Sequence, residues 1–167
     1  MAIIEPDSLG LLYRRHAPAL RLYARQWPGA GEDLVHDAFV KLARQAPPPD
    51  NVLAWLYRVV RNGALEAGRS AARRRRREGR ASVPEAWFAR ADDALDGREA
   101  ARLLAELPLE LREVVVARVW GGLTFDEIAR LVGCALPTAH RRYQAGLHEL
   151  RERMEGRWTP TTPAPTT

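Results

Sequence analysis

Midway along the chain, residues 69–80 carry seven arginines and a single acid. Like charges packed this closely repel one another and cannot be gathered into a core, so the block separates what folds before it from what folds after it. Two stretches of roughly 70 residues remain, each near the lower limit at which a chain buries enough surface to fold alone. The flanking charge is nearly balanced: residues 1–68 sum to +1, 81–101 to −3 and 102–167 to +1, so most of the formal net charge of +5 sits in this block. It reads as the end of a helix running into a linker. Arginine enrichment alone says little about a partner, because 25 of the 26 basic residues are arginine throughout the chain and only Lys41 is lysine.

On either side the apolar residues recur at helical spacing, with no strand alternation and no internal repeat. Leu9, Leu12, Tyr13, His16, Leu20, Tyr23 and Trp27 form one stripe. Pro18 should bend or interrupt that helix, and the Pro-Gly-Ala-Gly run at 28–31 should end it. A second helix is expected over residues 32–44, with Leu34, Val35, Ala38, Phe39 and Leu42 inward and Asp33, His36, Asp37, Lys41 and Arg44 outward. The Pro-Pro-Pro-Asp run at 47–50 forces a break before a third helix over residues 52–69, with Trp55, Leu56, Val59 and Val60 facing the core.

Beyond the arginine block, residues 79–95 read as a linker. Asp96 and Glu99 then have the spacing of a capping box, which opens a helix bearing Leu103, Leu104 and Leu107. Pro108 starts the next helix, and Gly121-Gly122 closes it. Thr124 to Glu127 is a second capping box, opening a short helix with Ile128, Ala129 and Leu131 inward. A four-residue turn at 133–136 begins with Gly133, and Pro137 suits the first turn of a following helix. Helix, short Gly-containing turn, helix is the helix-turn-helix arrangement, whose second helix enters the major groove of DNA. That second helix places Ala139, Tyr143, Gly146, Leu147 and Leu150 on one side. Thr138, His140, Arg141, Arg142 and Gln144 lie on the other, and such side chains hydrogen-bond phosphates and base edges. A plain helical hairpin with a solvated basic face is the competing reading.

Other function classes find little support. Ser8, Ser70 and Ser82 have no nucleophile signature around them, and His16, His36, His140 and His148 show no metal-ligand spacing with Cys134. There is no glycine-rich phosphate loop. No catalytic residue, metal or other cofactor is therefore expected, His16 reads as a core-edge residue, and Cys134 as a small buried residue in the turn. The single cysteine excludes an internal disulfide. No stretch approaches the ~18 apolar residues of a membrane span, and the first ten residues lack the pattern of a secretory signal, so a cytoplasmic protein without membrane insertion is expected.

Three motifs carry a resemblance. GLTFDEIARLVGCALPTAHRRYQAGLHELRERM, with the preceding LAELPLELREVVVARVWG, resembles region 4 of the extracytoplasmic-function (ECF) sigma factors of bacterial RNA polymerase. EDLVHDAFVKLARQ resembles their region 2.2, and NVLAWLYRVVRNGALEAGR their regions 2.3 and 2.4. The motifs stand in the family's order, with no domain between regions 2 and 4. The resemblance implies an all-α protein of two small helical domains joined by a flexible linker, the C-terminal one a helix-turn-helix domain. Residues 1–70 would be region 2, 71–98 a basic then acidic linker, 99–157 region 4 and 158–167 a disordered tail.

It also implies partners: core RNA polymerase, promoter DNA and, as is frequent in the family, an anti-sigma factor. Polymerase docking would fall on Asp33, His36, Asp37, Lys41 and Arg44. Strand separation and reading at the minus-ten element would fall on Tyr57, Arg58, Arg61 and Asn62, with the loop 47–52 to hold a flipped base. Trp55, on the apolar stripe, is better read as core than as a stacking platform. The minus-thirty-five element would be read by Thr138, His140, Arg141, Arg142 and Gln144, with Arg118 on a phosphate. Gly63, Ala67 and Gly68 depart from the family pattern, and the two glycines should shorten or loosen the third helix, since each costs roughly 1 kcal/mol against alanine. Pro137, His140 and Ala145 also depart, so the DNA sequence read should differ from that of well-known members. Two rivals remain at this level: a dimeric helix-turn-helix regulator, which leaves the motifs over 32–62 unexplained, and a degenerate sigma relative that binds polymerase or another protein without starting transcription.

Overall fold

A computed structural model describes residues 4–79 and 95–157, with the side chains of 95–100 and 157 left out. The linker over 80–94, the tail from 158 and the side chains of the Asp96–Glu99 capping box lie outside the described residues. The described residues form helices joined by turns and short loops, without a strand. The helices are α1 (Pro6–Ala24), α2 (Asp33–Arg44), α3 (Val52–Glu78), α4 (Leu95–Glu106), α5 (Leu109–Val119), α6 (Phe125–Val132) and α7 (Leu136–Arg157).

α1 starts on Pro6, whose missing N–H costs nothing in the first turn, with Asp7 favourably placed against the helix dipole. Pro18 does not interrupt it; the ring sits on the exposed side while Ala17 and Leu20 beside it are buried. α2 follows the expected span closely. α1, α2 and α3 pack on one another around Leu20, Tyr23, Val35, Phe39, Leu42, Leu56 and Val60, all less than a twentieth exposed. Each such side chain contributes about 1.5–3 kcal/mol by leaving water.

α3 corrects the expectation in two ways. It runs to Glu78, nine residues past the expected end, and closes on Gly79 in the left-handed conformation at φ 63°. Arginine and alanine are good helix formers, and cations in the last turns suit the dipole, so the arginine block extends the helix instead of ending it. Glu66 also reaches Arg69 at 3.5 Å and Arg73 at 3.3 Å. Nor do the glycines loosen α3. Gly63 is where the tip of Leu34 of α2 rests on α3, an added Cβ lying 2.9 Å from Leu34 Cδ2.

In the second half, α7 packs on α4, α5 and α6 around Leu103, Leu104, Leu107, Val114, Val115, Leu123, Ile128 and Ala139. α5 is unusual in burying Glu113, Val114, Val115, Val116 and Ala117 in succession. A helix buried all round has neighbours all round. One side of α5 faces α6 and α7, and another faces α1; α3 in turn meets α6. The two halves therefore share a seam.

Candidate nucleic-acid and polymerase interfaces

The helix-turn-helix is built by local chemistry. Thr124 Oγ1 accepts from the Glu127 N–H at 3.2 Å, while the Thr124 N–H donates to Glu127 Oε2 at 2.7 Å. Gly133 ends α6 at φ 72°, a conformation that suits only glycine comfortably. Partial burial raises the Glu127 carboxyl's affinity for a proton, but hydrogen bonds from the Thr124 backbone, the Asn51 amide and the Thr124 hydroxyl outweigh it, holding the group below the ordinary carboxylate value. A depressed folded value means stability that is present above the unfolded value and lost as pH falls through the folded one. Glu127→Ala is thus expected to cost roughly 0.3–1.5 kcal/mol at neutral pH, in line with removal of a cap. Urea titrations at descending pH should show the gap closing below the ordinary carboxylate range.

On α7, His140, Arg141 and Gln144 are exposed and Thr138 is half-buried. The His140 ring lies against Phe125, with centroids 3.8 Å apart and planes at 32°, and Tyr143 meets the same Phe125 ring edge-on at 5.3 Å. In the sequence Phe125 reads only as part of a capping box, yet it fixes where His140 points. An aromatic immediately after an N-cap, facing the next helix, is the available signal. Arg118, expected on a phosphate, is half-buried, donates from Nη1 to the Leu123 carbonyl at 2.7 Å and lies 4.8 Å above the Phe125 ring. Arg142 is half-buried and paired with Glu110 at 3.6 Å, which sets it apart from Arg141.

Asp33, His36, Asp37, Lys41 and Arg44 lie along the outer face of α2, where Asp33, His36, Asp37 and Lys41 are exposed and Arg44 is too. Beside them runs an apolar groove of about 620 Å³, walled by Leu9, Gly10 and Tyr13 of α1 and by Phe39, Val40 and Ala43 of α2, with Arg14, His36 and Arg44 among its lining. The α1 wall is not legible in the sequence, where Leu9 and Tyr13 read simply as core.

The four residues expected on the minus-ten face divide. Arg58 and Asn62 are exposed. Tyr57 is fully buried, and burial pushes its hydroxyl well above its ordinary value. Arg61 Nε is ion-paired with Glu113 of the other half at 2.5 Å. Trp55 is half-buried against the core, as its place on the stripe suggested. In the loop before α3, Asn51 caps the helix, accepting from the Ala54 N–H at 2.9 Å. His16 lies at the edge of the core, where burial and then Arg15 lower its proton affinity. Cys134 is half-buried, less covered than expected.

Residues 12–78 match the family model of sigma-70 region 2, and residues 97–150 that of sigma-70 region 4. A relative from Mycolicibacterium vanbaalenii, the ECF RNA polymerase sigma factor SigK, is 29% identical over 135 residues, covering 75% of this chain and 69% of its own. The ECF RNA polymerase sigma factor SigE of Mycolicibacterium smegmatis is 31% identical over 156 residues, covering 84% of this chain but 59% of its own. The chain belongs to the ECF sigma factors. Solved structures agree on the fold of this sigma factor. The sigma factor RpoE of Bartonella quintana, solved with the anti-sigma factor NepR, superposes with a TM-score of 0.70 at 23% identity, over 92% of this chain and 100% of that one. CnrH, solved with the cytosolic domain of CnrY, gives a TM-score of 0.61 at 23% identity, over 93% of this chain and 92% of its own. Among the described residues no helix is long and apolar enough to cross a membrane, and no group of His, Cys, Asp and Glu is placed to hold a metal.

Proposed function

We propose that residues 1–70, extended by the rest of α3, dock on core RNA polymerase through Asp33, His36, Asp37, Lys41 and Arg44 and help open the minus-ten element. Residues 99–157 then anchor the minus-thirty-five duplex through His140, Arg141 and Gln144, with Thr138 and Arg142 in support. Two exposed faces of opposite use, the charged outside of α2 and the polar N-terminal half of α7, carry this reading. Two weak contacts joined through one chain act as a single strong one. The stretch between α3 and α4 connects the two, and an anti-sigma factor is a fitting regulator, since the RpoE neighbour was solved with one and CnrH with the cytosolic domain of CnrY. The protein acts in the cytoplasm and carries no catalytic centre of its own.

Run-off transcription with purified bacterial core polymerase on a pooled genomic promoter library tests the reading. Discrete starts that require the protein are the expected result; stable binding to core without new starts would overturn the initiation role.

The arginine end of α3 adds a further expectation. Arg74, Arg76 and Arg77 are exposed on the last turns of α3, suited to phosphates and blind to sequence. Replacing all three with glutamine is expected to weaken binding to any duplex equally. The log–log salt slope should flatten by about 0.9 for each phosphate no longer neutralised, measured by fluorescence anisotropy across a salt series.

A further inference from the structure

Three helices of the C-terminal half meet at one aromatic ring. Phe125 is the first residue of α6, directly after the Thr124 cap, and it is half-buried. From α7 the His140 ring lies over it, with centroids 3.8 Å apart and planes at 32°, and Tyr143 meets it edge-on at 5.3 Å. From α5 the Arg118 guanidinium lies 4.8 Å above the same ring. Arg118 is itself tied down, donating from Nη1 to the Leu123 carbonyl at 2.7 Å. A cation over an aromatic face is attracted to it, so α5 holds Phe125 as well as α7 does.

His140 is the exposed member of this cluster. One face of its imidazole is covered by Phe125, yet among the described residues neither ring nitrogen has a hydrogen-bond partner. A polar ring that is held but unpaired differs from its neighbours on the same helix. Arg141 is exposed, with a long side chain that must be ordered when it binds, and Arg142 is already paired with Glu110 at 3.6 Å. Ordering a side chain in advance removes part of the cost of binding and fixes which atom it can reach. A flexible cation suits phosphates along the duplex, whereas a short ring at a fixed angle suits one base edge.

We infer that His140 sets the base preference at one position of the upstream element, and that Phe125 is the positioning residue through which it does so. This rests on the reading of α7 as the helix in the major groove. A ring N–H donates to N7 of either purine, an acceptor that no pyrimidine offers, so the preference is for a purine on the strand His140 faces. Phe125 acts by keeping the imidazole where that edge arrives.

The test uses holoenzyme reconstituted from the full-length chain and bacterial core polymerase. Its template is a promoter found by run-off transcription, with the upstream element changed one base pair at a time and transcripts counted by sequencing. The wild type is expected to prefer a purine at one position by about fivefold or more, the usual loss for a mismatched base pair. His140→Ala and Phe125→Leu should each flatten that position and no other, and their double variant should match either single one. Phe125→Tyr, which keeps a ring, should retain the preference. Every preference left intact in His140→Ala would overturn the inference, as would a pyrimidine preference at the position it flattens. A single factor lost at every position in Phe125→Leu would reduce the ring to a support of the fold. Phe125→Met repeats that comparison if circular dichroism shows leucine lowering the melting temperature. Arg141→Ala assigns a failure. If it alone shifts a preference, the inference falls and the reading of α7 stands; if none of the three single variants shifts any, both fall.

Discussion

Replacing Arg141 with alanine is expected to weaken binding of the minus-thirty-five duplex by about 1–3 kcal/mol, whereas the same change at Arg142 should cost clearly less. In dissociation constants the first effect is roughly five- to a hundred-and-fiftyfold. Both are arginines on the same turn of α7, and the sequence offers no reason to separate them. The structure does. Arg141 is exposed, so its guanidinium can turn to a guanine edge or a phosphate without giving up a protein partner. Arg142 is half-buried and must first release Glu110, 3.6 Å away, which lowers what it gains from DNA. Fluorescence anisotropy against a duplex carrying the element found by run-off transcription, and against a scrambled duplex, separates base reading from phosphate binding. A base contact at Arg141 predicts that the effect of its removal falls mainly on the specific duplex. Equal effects for both variants on both duplexes would reduce the recognition helix to a phosphate grip. His140→Ala tests the supporting geometry, because its ring is held against Phe125 and its removal also uncovers that aromatic.

What is legible in the sequence is what local chemistry decides. The span of α2, the capping box at Thr124 and Glu127, the turn at Gly133 and the inward set on α7 depend on residues within a turn or two of one another. The end of α3 is hard to place because two local effects compete there. Mutual repulsion of Arg73 to Arg77 argues for a break, but helix propensity, the dipole and the pairs made by Glu66 argue for continuation and prevail. The seam is not legible at all. Glu113 stands between Arg112 and three valines, and nothing nearby in sequence marks it as the partner of Tyr23 and Arg61, 90 and 52 residues away. Tyr57 packs on Tyr23 of its own half with its hydroxyl under Gly121 of the other, and Arg61 turns to Glu113. That a second half covers them is a long-range fact, visible only when α5 and α6 are set against α1 and α3.

Gly146→Val is expected to destabilise the C-terminal half by about 1–3 kcal/mol or more, a large share of what so small a unit can hold. A Cβ at this position of α7 would lie 2.6 Å from Val115 Cγ2, and 3.5 Å and 3.6 Å from the carbonyl oxygen and Cβ of Leu111. Valine at 115 is β-branched, with few rotamers to retreat into. Moving α5 bodily is also resisted, because the opposite side of that helix is committed to α1 through Glu113 and Tyr23. Gly63 offers the contrast. There the obstructing atom is the tip of Leu34, 2.9 Å from an added Cβ, and a flexible leucine can swing aside. Gly63→Ala should therefore come out near neutral, the helix-propensity gain of about 1 kcal/mol set against a small repacking. Urea unfolding of the full chain distinguishes the cases, and a Gly146→Val midpoint at or above wild type would refute the packing argument. If the packing argument holds, the variant should also bind the upstream duplex less well with Arg141 untouched. α7 presents its polar face from a fixed place only because α5 lets a bare backbone rest against it.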